Sequence, residues 1–402
     1  MSQVREGYKQ TKVGVIPLDW DVVKIKDIST IKSGATPLRS NELYFNNGQI
    51  NWVKTRDLNN NYIINTEEQI TEKALVETSV KLLPIDSILI AMYGGFGQIG
   101  RTGLLKIRAC SNQALSSLEL DKDISPRFIL EYLNFRRFYW KRYAASSRKD
   151  PNITKRDIEV FPISLPPLKE QEKIAKILTA WDNAISKQEE LIKVRQENKK
   201  GLMQKLLSGE IRFDGFYGEW EYVKLRNLAK ITMGQSPSSI SYNENKIGIP
   251  LIQGNADCKN RKTLPRMYTT EKTKECFIGD IILTVRAPVG AVSKSFHNAC
   301  IGRGVCAIIA KENQDFLYQF FINYENNWKK LSQGSTFTAV NSNDIKNLKI
   351  KLPPLKEQQK IAEVLTLADQ KIELLKTELT ELKEQKKALM QKLLTGEIRV
   401  KV

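Results

Sequence analysis

The heptapeptide LPPLKEQ stands at Leu165–Gln171 and again, letter for letter, at Leu352–Gln358, an offset of 352 − 165 = 187 residues. The offset holds to the end of a longer repeat, where QKLLSGEIR at Gln204–Arg212 returns as QKLLTGEIR at Gln391–Arg399. Within it, apolar residues recur at alternating steps of four and three. The second copy runs Ile361, Leu365, Ala368, Ile372, Leu375, Leu379, Leu382, Leu389, Leu393, and the first Ile174, Leu178, Trp181, Ile185, Ile192, Leu202, Leu206. That spacing predicts one long helix per copy with a heptad seam. Gln188, Arg195 and Lys199 make the first seam more polar, and Lys199 matches Lys386. The Pro-Pro pair marks each start, because proline is tolerated only in the first turn. Gly209 and Gly396 mark the ends. Each helix would run about 38 residues, or ~55 Å. A seam that long needs a cover. The two copies packing on each other is the favoured expectation, and a homodimeric coiled coil is the alternative.

A second repeat precedes each helix. WDVVKIKDISTIKSGATP at Trp20–Pro37 matches WEYVKLRNLAKITMGQSP at Trp220–Pro237, at an offset of 200. Further in, Ala109-Cys110 parallels Ala299-Cys300, and Trp140-Lys-Arg parallels Trp328-Lys-Lys. Short β-branched runs bounded by Gly, Asn and Pro predict strands. Helices are expected near Pro126–Tyr143 and Asp315–Leu331. The plan is therefore block 1–164, helix 165–212, block 213–351, helix 352–402.

Charge separates these parts. The chain holds 63 basic and 45 acidic side chains, net +18. Residues 1–164 carry 24 − 18 = +6 and residues 213–351 carry 19 − 12 = +7, so each block suits a polyanion. No apolar run approaches the ~18 residues of a membrane span, and MSQVREGYKQ lacks a signal's apolar stretch. A cytoplasmic protein away from membranes is expected. Its five cysteines contain no C-x-x-C pair and its one histidine is His297. No metal site is expected, and the thiols read as free and mostly buried.

GFGQIGRT at Gly95–Thr102 imitates both G-x-G-x-x-G and, with Arg101 for lysine, a P-loop. Either would need a helix to follow, whereas Gly103-Leu-Leu-Lys-Ile reads as extended. A glycine-rich hairpin loop is predicted. No methyltransferase motif and no catalytic constellation is found, so the chain reads as a binding protein without chemistry of its own. The stretch FRRFYWKRYAASSRK (Phe135–Lys149) interleaves basic and aromatic residues as phosphate and base contact requires; an amphipathic helix burying its aromatics and solvating its charges is the alternative. KTRDLNNN (Lys54–Asn61) and QGNADCKNRK (Gln253–Lys262) could reach base edges, or be ordinary surface loops. The DNA-contact candidates are Lys32, Lys54, Arg56, Asn59, Arg101, Arg136, Arg137, Lys141, Arg148 and Lys149 in the first block. In the second they are Gln253, Asn255, Lys259, Arg261, Lys262, Arg286, Arg303, Lys329 and Lys330.

Over its whole length the chain resembles the specificity subunit of Type I restriction–modification systems. The resemblance rests on the LPPLKEQ…QKLLSGEIR repeat, the VGVIPLDWDVVKI opening and the two Gly-rich blocks. It implies two mixed α/β target-recognition domains, each reading half of a split site in double-stranded DNA. Two long antiparallel coiled-coil helices would join them as a spacer, with pseudo-two-fold symmetry. It further implies two methyltransferase subunits that bind S-adenosylmethionine and methylate adenine, and ATP- and Mg-dependent motor–nuclease subunits. No cofactor is expected on this chain itself. A nucleic-acid scaffold unrelated to restriction and a P-loop NTPase are the alternatives.

Overall fold

The computed structural model describes residues 4–142, 144, 152–333 and 339–401, with the backbone alone at 329–333. The chain divides into two compact units, 1–187 with 379–402, and 188–378. Each combines one block with segments of both long helices.

In the first unit, strands β1 (Ser29–Ser33), β2 (Tyr62–Ile63), β3 (Ile88–Ala91), β4 (Thr102–Leu105) and β5 (Leu115–Leu120) form one sheet in the order β1-β5-β3-β4-β2. All neighbours are antiparallel except β4 and β2. The second unit repeats the plan with β6 (Ala229–Met233), β7 (Cys258–Lys259), β8 (Lys262–Thr263), β9 (Ile281–Thr284), β10 (Val292–Lys294) and β11 (Val305–Ala310), ordered β6-β11-β9-β10-β8-β7. The β10–β8 pairing is again parallel. The central strands ILIA and IILT are buried along their whole length, as continuous apolar runs should be. Helix α1 (Pro126–Phe135) follows β5, and α2 (Gln314–Gln333) follows β11. Ala109–Ser111 lies parallel to Ile50–Val53, and Ala299–Ile301 parallel to Ile249–Ile252, so the matched Ala-Cys pairs occupy matched strands.

The first of the two expected block helices is shorter than its sequence suggests. It stops at Phe135, and Arg137–Arg142 continue as a 3₁₀ segment. The change of path lets Trp140 stack on Phe161 with ring centroids 4.1 Å apart.

Two further helices, α3 (Leu168–Ser208) and α4 (Leu355–Leu394), carry the long repeat. Each begins directly after its Pro-Pro pair, and the Pro167 and Pro354 carbonyls accept the first helical amides. Gly209 (φ 78°) and Gly396 (φ 71°) adopt the left-handed conformation that ends a helix. The helices run antiparallel within each unit. In the first, Ile174 and Leu178 join Leu389, Leu393 and Leu394 in one core. In the second, Met203 and Leu206 join Ile361 and Leu365. This packing within the chain covers the seam. Ile185, Leu202, Leu375, Leu379 and Leu382 are half-buried, Ile192 and Ile372 buried, because two helices alone enclose only a narrow stripe. Arg195 departs from the predicted seam and lies exposed, whereas Gln188 donates to the Leu375 carbonyl (3.1 Å) and to Glu378 (3.0 Å).

Among the described residues no helix is long and apolar enough to cross a membrane. All five cysteines are free, four of them buried. His297 lies in a loop, its Nδ1 2.9 Å from the Thr263 hydroxyl.

Candidate nucleic-acid interface

The repeated heptapeptide is the anchor of each block. The strand entering it pairs with the strand that follows the matched tryptophan: Leu165 faces Asp21, and Leu352 faces Glu221. Glu170 is buried and accepts the Trp20 indole N–H at 3.1 Å and the Arg399 guanidinium at 2.8 Å. Glu357 is buried likewise and takes Trp220 at 3.0 Å and Arg212 at 2.9 Å. The arginine in each cluster comes from the GEIR end of the other copy, as antiparallel packing demands. Arg399 also grips Asp19, and this hydrogen bonding holds the Asp19 carboxyl below the usual carboxylate range.

GFGQIGRT is a hairpin loop. It links β3 to antiparallel β4, and a strand follows where a phosphate-binding loop would need a helix. Arg101, the would-be phosphate ligand, donates to the Leu58 carbonyl and to Gln98 (2.8 Å). The hairpin's glycine at 100 (φ 69°) would place a Cβ 2.2 Å from Trp140. Gly290 (φ 87°), in the matching hairpin, would place one 2.5 Å from Trp328. Each glycine therefore admits the tryptophan of its own block.

The sequence candidates fall into three groups. Several are already engaged within the fold. Lys32 pairs with Glu119 (2.5 Å) and Arg136 donates to the Val13 carbonyl (2.6 Å). Lys54 bonds Glu67 and Glu68, and although burial alone would lower its pKa, these partners raise it. Arg261 clamps Glu325 through both terminal nitrogens. Arg137 reaches the Gly97 carbonyl at 2.6 Å, and burial followed by the nearby Arg101 pulls its pKa down. A second group is exposed: Arg56, Asn59, Lys141, Asn255, Lys259, Lys262, Arg286 and Arg303, while Gln253 is half-buried. Arg56, Arg286 and Arg303 have no side-chain partner among the described residues. Lys141 lies over the exposed rings of Phe96 (5.6 Å) and Phe138 (5.3 Å), and Lys262 over Phe296 (5.2 Å). The third group is out of view. Arg148 and Lys149 lie outside the described residues, and only the backbone is described at Lys329 and Lys330.

Corresponding clefts open beside the helix pair in both units. The first, about 610 Å³, gathers Asn59, Arg137 and Lys141 with Phe96 and Phe138. The second, about 440 Å³, gathers Arg261, Lys262 and Lys294 with Phe296. A left-handed asparagine turns the chain at both, Asn60 (φ 60°) and Asn260 (φ 51°), 200 residues apart. The floor of each is an ion pair between repeat-related residues, Lys386–Asp182 at 2.7 Å and Lys199–Asp369 at 2.6 Å.

Sequence reading missed Arg127, Glu131, Asp182, Gln319 and Asp369. The 187 offset would have found the aspartates, since it matches Asp182 to Asp369 as it matches Lys199 to Lys386. Arg127 and Glu131 carry no such signal.

The family model described as Type I restriction modification DNA specificity domain matches residues 17–196 and 217–384. A Methanocaldococcus jannaschii protein, MjaX, assigned as a type I restriction enzyme specificity subunit, is 34% identical over 422 residues, covering 98% of this chain and 97% of its own. The MjaVIII specificity subunit of the same organism is 27% identical over 428 residues, at 98% and 97% coverage. Among solved structures, a chain from work on assembly and conformational transition of the type I R-M system has a TM-score of 0.62 at 23% identity, covering 95% of this chain and 99% of that one. The S subunit of a Type-I system from M. genitalium has a TM-score of 0.61 at 16% identity, covering 97% of each.

Proposed function

The chain belongs to the Type I restriction–modification DNA specificity family, and from that premise we propose how its parts divide the work of a DNA-recognition subunit. Each block, 1–164 and 213–351, reads one half of a bipartite, gapped site in double-stranded DNA. The helical segments 165–212 and 352–402 set the gap and present a surface to two methyltransferase subunits. Those subunits bind S-adenosylmethionine and methylate one adenine in each half-site. Motor–nuclease subunits using ATP and magnesium join for restriction. This chain supplies recognition and positioning, works in the cytoplasm and performs no bond-making step.

The observation that carries this reading is a shared framework with unlike surfaces. Both units keep the sheet order, the Trp–Glu–Arg cluster and the glycine–tryptophan contact. The exposed loops differ, with Asn59-Asn60-Asn61 in one where Lys259-Asn260-Arg261 stands in the other. A common scaffold carrying different polar groups suits two readers of different base sequences.

Inserting one heptad after Ile185 and one after Ile372 tests it. Seven residues lengthen a helix by ~10 Å, or about three base pairs, while keeping the seam in phase. The expected outcome is the same two half-sites with a gap two or three base pairs longer, at reduced affinity. Retained methylation with an unchanged gap overturns the spacer role.

A further inference from the structure

We propose that Lys386–Asp182 and Lys199–Asp369 are positioning pairs that fix the tilt of each recognition block on its helix segment, and so hold the gap to a single length. This rests on the reading above, in which the helices set the gap.

Among the polar contacts between each block and its helix, two are spaced identically in the two units. The first is the glutamate of the heptapeptide, Glu170 or Glu357, which holds Trp20 or Trp220. The second is the aspartate twelve residues on, at 182 − 170 and 369 − 357, or about 18 Å along a helix. One attachment fixes where a block sits, and two fix its angle.

The second attachment joins three elements at once. In the first unit Lys386 of α4 bonds Asp182 of α3 at 2.7 Å, and Asp182 accepts from Arg127 of α1 at 2.6 Å. Arg127 also donates to Asn61 at 2.5 Å, so the chain of bonds runs from the asparagine turn to the spacer. Glu131, one turn along α1, contacts both Arg127 and Lys386. In the second unit Lys199 of α3 bonds Asp369 of α4 at 2.6 Å, and Asp369 accepts from Gln319 of α2 at 2.8 Å. Lysines in a heptad seam lower stability relative to leucine, and such polar exceptions specify alignment. Here both are 15% exposed or less, and both are partnered by the repeat-equivalent residue. An apolar seam would bind the helices as well and would leave the block without its second attachment.

The test uses the full chain assembled with its methyltransferase subunits, reading methylated sites across a genome and their gap lengths. Lys386→Met with Asp182→Leu should leave the complex assembled and its melting temperature within a few degrees. Methylation at sites whose gap differs by one base pair should rise at least ten-fold. The second unit gives an independent arm, because Gln319 is neutral and tolerates either charge. Lys199→Asp and Asp369→Lys singly should each broaden the gap, and the transposed double variant should restore one length. A single gap length in the methionine–leucine variant, or broadening that transposition does not rescue, overturns the proposal. If the heptad insertion shifts the gap while these variants keep it single, only the positioning role falls. If that insertion leaves the gap unmoved, the spacer reading itself is what fails.

Discussion

Arg399 closes its guanidinium on Glu170 across 229 residues of chain, with Nε 2.8 Å from Oε1 and Nη2 2.8 Å from Oε2. Arg212 does the same to Glu357 across 145 residues, at 2.9 and 2.7 Å. The tail of each helix thus satisfies the buried glutamate at the head of the other. That is why one chain needs LPPLKEQ twice: each copy supplies a buried acceptor and each GEIR supplies a donor.

Arg399→Ala should lower stability by about 2 kcal/mol, because it leaves a buried carboxylate with only the Trp20 N–H. Arg399→Lys should recover part of that, since an ammonium cannot make the two-pronged contact. Urea unfolding followed by circular dichroism measures both.

Gly100→Ala and Gly290→Ala should each cost about 2–4 kcal/mol. The new methyl meets an indole, and positive φ disfavours any Cβ. Gly97→Ala should change stability by less than about 0.5 kcal/mol, as nothing lies within 4 Å of its Cβ position. Equal melting temperatures for all three variants would contradict the hairpin packing.

Ile372→Asp should destabilise by several kcal/mol through an unpaired buried charge, while Leu374→Asp, two residues on and 59% exposed, should be near neutral.

Arg56, Arg286 and Arg303 are the candidates to test first for phosphate contact. Replacing one that touches a phosphate should weaken binding at all sequences and reduce the slope of log K against log salt by about one. Lys54→Ala should instead act on stability, because its ammonium is committed to Glu67 and Glu68. Fluorescence anisotropy of the assembled complex over a salt series separates the two behaviours.

The pH dependence of the first unit should carry the mark of Glu131. Burial raises its carboxyl pKa above 4.5, the opposing pull of Arg127 and Lys386 notwithstanding. The folded state therefore holds this proton more tightly than the unfolded chain. Stability from this group is present in full below about pH 4.5 and declines as pH rises through the folded value. Glu131→Gln should flatten that slope, and thermal melts of both proteins between pH 4.5 and 8 measure the difference.

The sequence by itself determined the repeat, the two long helices, their caps and the order of parts. These depend on local rules: seam residues at steps of three and four, prolines ahead of a helix, glycines behind it. It also determined that GFGQIGRT is a hairpin, since the residues after it favour a strand. Only the tertiary structure decided which copy's arginine meets which glutamate, because identical motifs present identical partners and antiparallel packing alone chooses between them. It also decided which basic residues are spent inside the fold. Lys54 and Arg261 look like DNA ligands in sequence, and their acidic partners lie 13, 14 and 64 residues away. The seam pairs needed both sources. The 187 offset places Lys199 with Lys386 and Asp182 with Asp369, but an ion pair joins residues across the seam, and that distance exists only once the helices pack.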